Sequence, residues 1–254
     1  MSLEIVKRPT KGVIARDGNK FLKLDDEPYG VKDKEVEGSD FKLIPRIGKE
    51  RDVLYITGQS GSGKTYFTLE YLKEYKTIYK ENPIYLFSAI ENEGEGDPYN
   101  DKDLNVKRMK MTEDLKNIKS KDFYDSCVIF DDMDCFRNAK ILKIVTELRD
   151  EMLETGRHNG ITMIITYHLP CNGKDTRRLI NEATSVTYFP RYSKPKIAYM
   201  METYVGVSKE QLAAFRKLEG RSCTITTIGI PVVITKKKAF LLNNDESDVE
   251  DEDE

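Results

Sequence analysis

A glycine-rich stretch that ends in lysine and threonine is the segment best suited to chemistry. Residues 58–65 satisfy the pattern GxxxxGK[ST]. Glycines allow a tight turn, so successive backbone N–H groups can surround phosphate oxygens at the start of a helix. The lysine then contacts the β- and γ-phosphates, and the threonine hydroxyl binds Mg²⁺. The predicted nucleotide contacts are Gly58, Gln59, Ser60, Gly61, Ser62, Gly63, Lys64 and Thr65.

Two adjacent acids, Asp131 and Asp132, form the second candidate element, directly after four apolar residues. A buried strand would deliver both carboxylates to the sheet edge where phosphates are expected. One carboxylate can hold Mg²⁺ through water, and the second can orient and deprotonate an attacking water. We assign Asp131 to the metal and Asp132 to the water. Asp134 is expected to cap the helix that follows.

The second acid favours ATP hydrolysis over other uses of a phosphate loop. A kinase must exclude water and needs no acid that activates it. A GTPase would usually carry a guanine-reading Asn/Lys-x-x-Asp segment, and no such segment ends a suitable strand here. An apolar strand between the two motifs also points to a RecA-like motor. A nucleoside or nucleotide kinase, and an assembly protein switched by ATP binding, remain alternatives.

Alternating strands and helices must position these residues. The predicted strands are 52–57, 84–89, 126–134, 160–168 and 185–190, followed by a C-terminal β-hairpin at 222–235. The predicted helices are 65–80, 111–120, 139–156, 176–184 and 208–220. The alternation predicts an α/β fold: a RecA-like P-loop NTPase with a mostly parallel central sheet flanked by helices. Such sheets bind ligands at the carboxyl ends of their strands.

Composition divides the 254 residues into three parts. Residues 1–50 form an N-terminal extension, which is either packed on the domain or a partner-binding arm. Residues 51–242 form the P-loop ATPase domain. Residues 243–254 are expected to be a disordered acidic tail, which solubilises the protein, competes with nucleic acid for basic surfaces or recruits a partner. Eight acids lie in the last ten residues, so the rest of the chain is mildly basic.

The lack of long apolar runs and of cysteine motifs argues against a membrane protein and against a protein built on zinc or disulfides. No run approaches the ~18 apolar residues that a membrane span needs, so no membrane association is expected. The four cysteines form no CxxC pair, which argues against a zinc site or a disulfide framework.

From about residue 50 to about 242 the chain resembles the DNA-packaging ATPases of large eukaryotic DNA viruses, the poxvirus-type branch of the FtsK/HerA superfamily. The likeness includes the loop GQSGSGKT, then FSAIENE, VIFDD, the GRHNGI turn, the strand end TYH, and YVGVSKEQLAAFRKLEGRSCTITT before a hairpin. The resemblance implies ATP and Mg²⁺ as cofactors and a homo-oligomeric ring of five or six subunits. It further implies double-stranded DNA as a partner, capsid or portal components as possible partners, and a location in the virion or the host cytoplasm.

The resemblance also implies additional site residues. Thr166 or His168 would sense the γ-phosphate. Arg157 would act as an arginine finger across a subunit boundary, stabilising charge on the transferring phosphoryl group. Arg149 and Arg221 are the fallback fingers.

Basic clusters offer candidate contacts with DNA phosphates, although each could also be an ordinary solvated face. Lys174, Arg177 and Arg178 are the best candidates. Their loop follows the fourth predicted strand and should lie near the nucleotide, so hydrolysis could shift it directly.

Overall fold

The structure, a computed structural model, describes residues 2–25, 34–48, 51–91, 94–171, 173–192 and 195–242. The predicted acidic tail lies outside these residues. The strands are β1 (Ser2–Val6), β2 (Val13–Asp17), β3 (Lys20–Asp25), β4 (Glu35–Glu37), β5 (Lys42–Leu43), β6 (Val53–Thr57), β7 (Ile84–Ser88), β8 (Val106–Arg108), β9 (Cys127–Asp131), β10 (Thr162–Tyr167), β11 (Ser185–Tyr188), β12 (Cys223–Thr226), β13 (Val232–Ile234) and β14 (Lys238–Leu241).

The α-helices are α1 (Lys64–Ile78), α2 (Ala139–Thr155), α3 (Lys174–Glu182), α4 (Pro195–Met200) and α5 (Lys209–Phe215). A single π-helical turn, Met201–Val205, follows α4. Every helix within the described ranges falls short of the length and hydrophobicity that crossing a bilayer requires.

The main sheet has the strand order β4-β14-β13-β12-β11-β6-β10-β9-β7-β8. The six strands from β11 to β8 are parallel, and the other four pair antiparallel. The predicted mostly parallel α/β sheet is therefore confirmed. The C-terminal part differs from the predicted hairpin, because β14 adds a third strand. Its turn is held by Thr235, whose N–H donates to Lys238 O and whose hydroxyl accepts from Lys238 N–H.

The central strands are buried on both faces, which explains their nearly continuous apolar sequence. In β6, Val53 and Tyr55 pack into the cluster on the face that α2 covers, whereas Leu54 and Ile56 pack into the cluster on the face that α1 covers. This alternation is the two-residue period of a strand. Burial of each such side chain stabilises the fold by about 1.5–3 kcal/mol, so this packing holds both helices against the sheet.

Two local predictions about helices are wrong. Residues 111–120 form only a short 3₁₀-helix, Glu113–Asn117, whose single buried residue offers too little apolar area for a longer helix. Asp134 does not cap α2. Asn138 does so, because its side chain lies directly before the helix and accepts from the N–H groups of Lys140 and Ile141.

The described part of the N-terminal extension is packed on the domain. Its antiparallel sheet, in the order β1-β3-β2-β5, shares an apolar cluster with β13 and β14 through residues such as Leu22 and Val232. Lys42 bridges to Glu70 of α1 at 2.5 Å, and β4 joins the main sheet beside β14. The extension therefore supports the strands next to the parallel sheet.

Candidate functional site

The carboxyl ends of three neighbouring strands meet at one level of the sheet. Ser88 of β7, Asp131 of β9 and Thr166 of β10 are direct partners in register. The glycine-rich loop follows β6, which pairs with β10 on its other side. The loop and both candidate acids thus lie at the same edge, where parallel sheets bind their ligands.

The loop has the backbone shape that a phosphate nest requires. Gly61 and Gly63 have φ of 74° and 116°, values that favour glycine. Ser62 N–H donates to Gln59 O at 3.1 Å, which closes the turn, and Ser60 is exposed at its crest. Helix α1 begins directly after Gly63 without a side-chain cap, so its first N–H groups point into the loop.

Position 58 requires glycine because its neighbours leave no room for a side chain, rather than because of its backbone angles. A Cβ atom there would lie 2.5 Å from Ser62 Oγ and 2.8 Å from Phe189 Cδ2. Its N–H donates to Tyr167 O at 3.2 Å, which ties the loop to the end of β10. Ser62 Oγ is buried and has no hydrogen-bond partner among the described residues. A buried polar atom inside this loop fits a site that takes a polar ligand.

The buried Lys64 connects the loop to two other predicted site residues. Its ammonium donates to Gly58 O at 3.0 Å and lies 3.2 Å from His168 Nδ1 and 3.5 Å from Asp132 Oδ1. His168 Nε2 lies 2.8 Å from Asp132 Oδ2. These contacts fit the imidazole tautomer that carries its proton on Nε2 and accepts at Nδ1. A phosphate group would compete with Asp132 for the same ammonium.

Asp131 is buried among hydroxyl groups. Its Oδ1 accepts from Thr166 Oγ1 at 2.9 Å and from Tyr99 OH at 3.1 Å, and its Oδ2 accepts from Ser88 Oγ at 3.2 Å. Burial raises the pKa of this carboxyl above its usual 3.8, and the neighbouring charge of Asp132 raises it further, while the hydroxyl groups oppose the shift. A divalent cation would supply the positive charge that this buried carboxylate lacks.

Thr166 joins the two carboxylates. Its fully buried hydroxyl accepts from Asp132 N–H at 2.9 Å and lies 2.9 Å from Asp131 Oδ1 and 3.1 Å from Asp132 Oδ1. A hydroxyl carries one hydrogen and can donate it to one of these oxygens at a time. Asp132 itself has a φ of 48°, a left-handed conformation that costs about 1–3 kcal/mol at a non-glycine residue. The surrounding hydrogen bonds hold it there.

The hydroxyl and carboxylate oxygen atoms at this edge are the kind of ligand that Mg²⁺ binds. Thr65 follows Lys64 in the first turn of α1, on the same edge as the carboxylate of Asp131. Within the described residues no group of three or more His, Cys, Asp or Glu could hold a metal ion. Mg²⁺ needs no such cluster, because it is commonly held by one or two protein ligands together with water and substrate phosphates.

Two residues at this site were missed from the sequence. Ser88 ends a correctly predicted strand, so its position beside Asp131 could have been inferred by aligning the strand ends. Tyr99 lies in a short 3₁₀-helix, Pro98–Asn100, within a segment where the sequence predicted neither a strand nor an α-helix. Burial raises the pKa of Tyr99 well above its ordinary value, so its hydroxyl stays protonated and donates to the carboxylate. No local sequence signal marks that contact.

The candidate arginine fingers lie in three different places. Arg157 is exposed at the opposite edge of the sheet, where the parallel strands begin, and so does not meet Lys64 within one subunit. Arg149 is buried and paired with Asp175, which makes it unavailable to a neighbour. Arg221 is exposed and lines a cavity beside Gly63.

The candidate DNA contacts lie on α3, which follows β10. Lys174 and Arg177 are exposed, whereas Arg178 pairs with Asp150 at 2.6 Å and with Glu154 of α2. Instead of capping a helix, the carboxylate of Asp134 accepts from His168 N–H at 3.0 Å and from Leu169 N–H at 2.9 Å. It thereby fixes the start of the segment that leads to α3.

Comparison with known proteins identifies one sequence relative and a set of similar folds. No protein-family model matches the chain. The uncharacterized protein V3 of Sputnik virophage is 33% identical over 188 residues, which cover 72% of this chain and 74% of the relative. The conjugation coupling protein TcpA of pCW3, solved with ATPγS, matches with a TM-score of 0.50 and 11% identity over 92% of this chain and 78% of its own. The DNA-packaging ATPase B204 of Sulfolobus turreted icosahedral virus matches with a TM-score of 0.49 and 18% identity over 70% of this chain and 94% of its own.

These findings agree with the resemblance drawn from the sequence. The relative at 33% identity comes from a virophage, and the likeness to the coupling protein shows a P-loop ATPase fold. The predicted fold class is therefore confirmed.

Proposed function

We propose an activity from the premise that this chain belongs to the same family as protein V3 of Sputnik virophage. The chain binds ATP with Mg²⁺ at the carboxyl edge of its sheet and hydrolyses it to ADP and phosphate, as a motor that moves double-stranded viral DNA into a capsid. The observation that supports hydrolysis is the approach of Lys64 Nζ to Asp132 Oδ1 at 3.5 Å, beside the buried carboxylate of Asp131.

Each residue has a distinct role in this proposal. The loop N–H groups and Lys64 bind the phosphates. Mg²⁺, when bound by Thr65 and Asp131, neutralises charge on the phosphate oxygens. Asp132 accepts a proton from the water that attacks the terminal phosphorus, and the bond from that phosphorus to the ADP oxygen breaks. Once Lys64 turns to the phosphates, His168 remains as the hydrogen-bond partner of Asp132 at 2.8 Å and keeps it oriented.

The motor part of the proposal is supported by the resemblance, by the virophage relative and by the connection from β10 to α3. Asp134 fixes the backbone of His168 and Leu169, so a shift of His168 would pass along the chain to α3. Lys174 and Arg177 then contact DNA phosphates. The subunits form a ring of five or six, with Arg157 supplied to a neighbouring site and capsid or portal components as partners, in the virion or the host cytoplasm.

Phosphate release with and without double-stranded DNA tests the proposal. We expect the protein to hydrolyse ATP faster with DNA and faster as oligomers form. Asp132→Asn keeps nucleotide binding but lowers turnover by about 10²–10⁴-fold, the usual contribution of a general base. The matched control Asp114→Asn changes an exposed carboxyl on the short helix before β9 and leaves turnover unchanged.

The same assay separates the alternatives. A nucleoside or nucleotide kinase releases ADP only when an acceptor is present, and its turnover survives Asp132→Asn. An ATP-switched assembly protein binds the nucleotide without turnover. Hydrolysis that DNA fails to stimulate at any protein concentration would contradict the motor while leaving the nucleotide site intact.

A further inference from the structure

A basic cavity of about 890 Å³ opens at the edge of the sheet opposite the candidate nucleotide site. It lies where the parallel strands begin, next to Ser185 at the start of β11 and Thr226 at the end of β12. The N-terminal sheet forms its other wall. Its basic lining residues are Lys11, Lys23, Arg46, Arg51 and Arg157.

The acids of the cavity are already paired. Asp52 binds Arg46 at 2.8 Å. Glu182 lies 3.7 Å from Arg51, whose guanidinium also donates to the carbonyl groups of Met152 and Leu153 at the end of α2. Two of the five basic residues are thus committed within the fold.

The remaining three bases line the cavity without a salt bridge. Lys11, Lys23 and Arg157 form no ion pair among the side chains that the structure describes, and Glu4 lies opposite Lys23 in the pairing of β1 with β3. Lys11 and Arg157 are exposed, and Lys23 is half-buried. A concave surface that combines cations from two parts of the chain attracts a flexible anionic ligand.

The last described residue of the chain lies beside the loop that forms the rim of this cavity. Leu242, the last described residue, donates its N–H to Pro231 O at 2.8 Å. The loop just before Pro231 lines the cavity through Ile228 and Gly229. The following segment, 245–254, reads DESDVEDEDE and contains eight acids. Asp245 is three residues from Leu242, within about 10 Å along an extended chain.

We propose that the acidic segment 245–254 binds this cavity in its own subunit, pairing its carboxylates with Lys11 and Lys23, and with Arg157 when no neighbouring subunit engages that side chain. Tethering at the rim gives the segment an effective concentration in the mM range, which favours it over a free anion. A single extended chain can enter a concave cavity of this size, whereas a rigid duplex reaches only its rim. The segment thereby shields this basic surface from nucleic-acid phosphates. This inference does not depend on the proposed hydrolysis.

Zero-length crosslinking of the full chain tests the contact. A carbodiimide joins a carboxylate to an amine with loss of water, and peptide mass spectrometry locates the product. We expect crosslinks from 245–254 to Lys11 and Lys23 at low salt, lost at about 1 M salt, where the screening length falls to about 3 Å. The exposed Lys107 and Lys217 serve as matched controls on other surfaces. In a mixture of ¹⁵N-labelled and unlabelled chains, the crosslinked peptides carry the same label.

A binding experiment identifies the occupant. In a full-length variant with the eight acids of 245–254 changed to Asn and Gln, we expect a labelled peptide of that segment to bind in trans, while the unmodified chain does not bind it. Lys11→Gln with Lys23→Gln weakens this binding about tenfold, as the loss of two ion pairs near the surface allows, and Lys107→Gln with Lys217→Gln does not. Crosslinks spread evenly over all lysines overturn the proposal. The proposal is also overturned if the variant without the eight acids binds double-stranded DNA more tightly than the unmodified chain but does not bind the peptide.

Discussion

Replacing Thr166 with valine removes one oxygen atom from a fully buried position and tests how the paired carboxylates are held. The hydroxyl accepts from Asp132 N–H at 2.9 Å and donates towards Asp131 Oδ1 at 2.9 Å. Valine has nearly the same shape, and Asp132 N–H keeps Thr166 O as an acceptor at 3.1 Å. The main loss is a hydrogen bond to a charged group, so we expect a cost of about 1.5–3 kcal/mol at neutral pH.

The cost should depend on pH in a defined direction. Burial raises the pKa of Asp131, so the native state binds a proton more readily than the unfolded chain. The free energy of unfolding therefore falls as pH rises from the unfolded pKa through the folded pKa. The Thr166 hydroxyl opposes this rise in pKa, so Thr166→Val raises the pKa further, at about 1.4 kcal/mol per unit. The penalty is largest at neutral pH and shrinks as pH falls below the folded pKa.

Urea unfolding at pH 8 and at the lowest pH at which the protein stays folded, with a chelator present, measures this effect. Thr187→Val is the matched control, because Thr187 is equally buried and its Oγ1 lies 2.8 Å from Thr224 Oγ1 in a pair with no charge. We expect the control to cost about 0.5–1.5 kcal/mol at both pH values. If Thr166→Val costs no more than the control at pH 8, or the same at both pH values, the proposed support of Asp131 by this hydroxyl is wrong.

Three further predictions follow from the site and its supports. Gly58→Ala places a methyl group 2.5 Å from a serine oxygen and 2.8 Å from an aromatic ring. It should therefore lower the free energy of unfolding by about 1–3 kcal/mol, measured by thermal unfolding, and weaken nucleotide binding. The control Gly96→Ala, which has no atom within 4 Å of the added methyl group, should change neither quantity. Arg149→Ala removes a buried guanidinium and leaves Asp175 without its cationic partner, so it should lower stability by about 3–5 kcal/mol in urea unfolding, whereas Lys143→Ala, in an exposed pair, should stay within about 0.5 kcal/mol. Calorimetry over the pH range in which the protein stays folded should show that Mg²⁺-dependent ATP binding weakens as pH falls and Asp131 gains a proton. Binding that is constant over this range would contradict the assignment of Asp131 to the metal.

Much of the central fold could be predicted because its signals are local. The parallel strands are apolar along their length, since helices cover both faces, and the amphipathic stripe of α2 marks its buried side. The glycine-rich loop is equally local, because the nest is built from consecutive residues. Parallel strands share one ligand edge, so the spacing of the motifs is enough to predict that Lys64, Asp131 and Asp132 lie together.

The features that were missed depend on contacts between distant parts of the chain. Strand β4 pairs with β14, about two hundred residues further along, and only one of the three residues of β4 is apolar. Asp134 stands before a helix, where an acid typically caps, yet it binds the backbone at the end of β10 while Asn138 caps α2. Tyr99 reaches Asp131 from an irregular segment. No spacing within these segments encodes which partner each side chain finds.

The two adjacent carboxylates differ in their partners, and this difference supports their separate roles. In the described residues, Asp131 receives hydrogen bonds from hydroxyl groups alone, so it keeps an unbalanced negative charge that a metal ion can neutralise. Asp132 is instead balanced by Lys64 at 3.5 Å and held by His168 at 2.8 Å. When phosphates draw Lys64 away, as the proposed function requires, Asp132 loses its cation and its Oδ1 can accept a hydrogen bond from water. The contact between a residue of the phosphate loop and a strand-end acid therefore fits a site in which substrate binding prepares the proposed base.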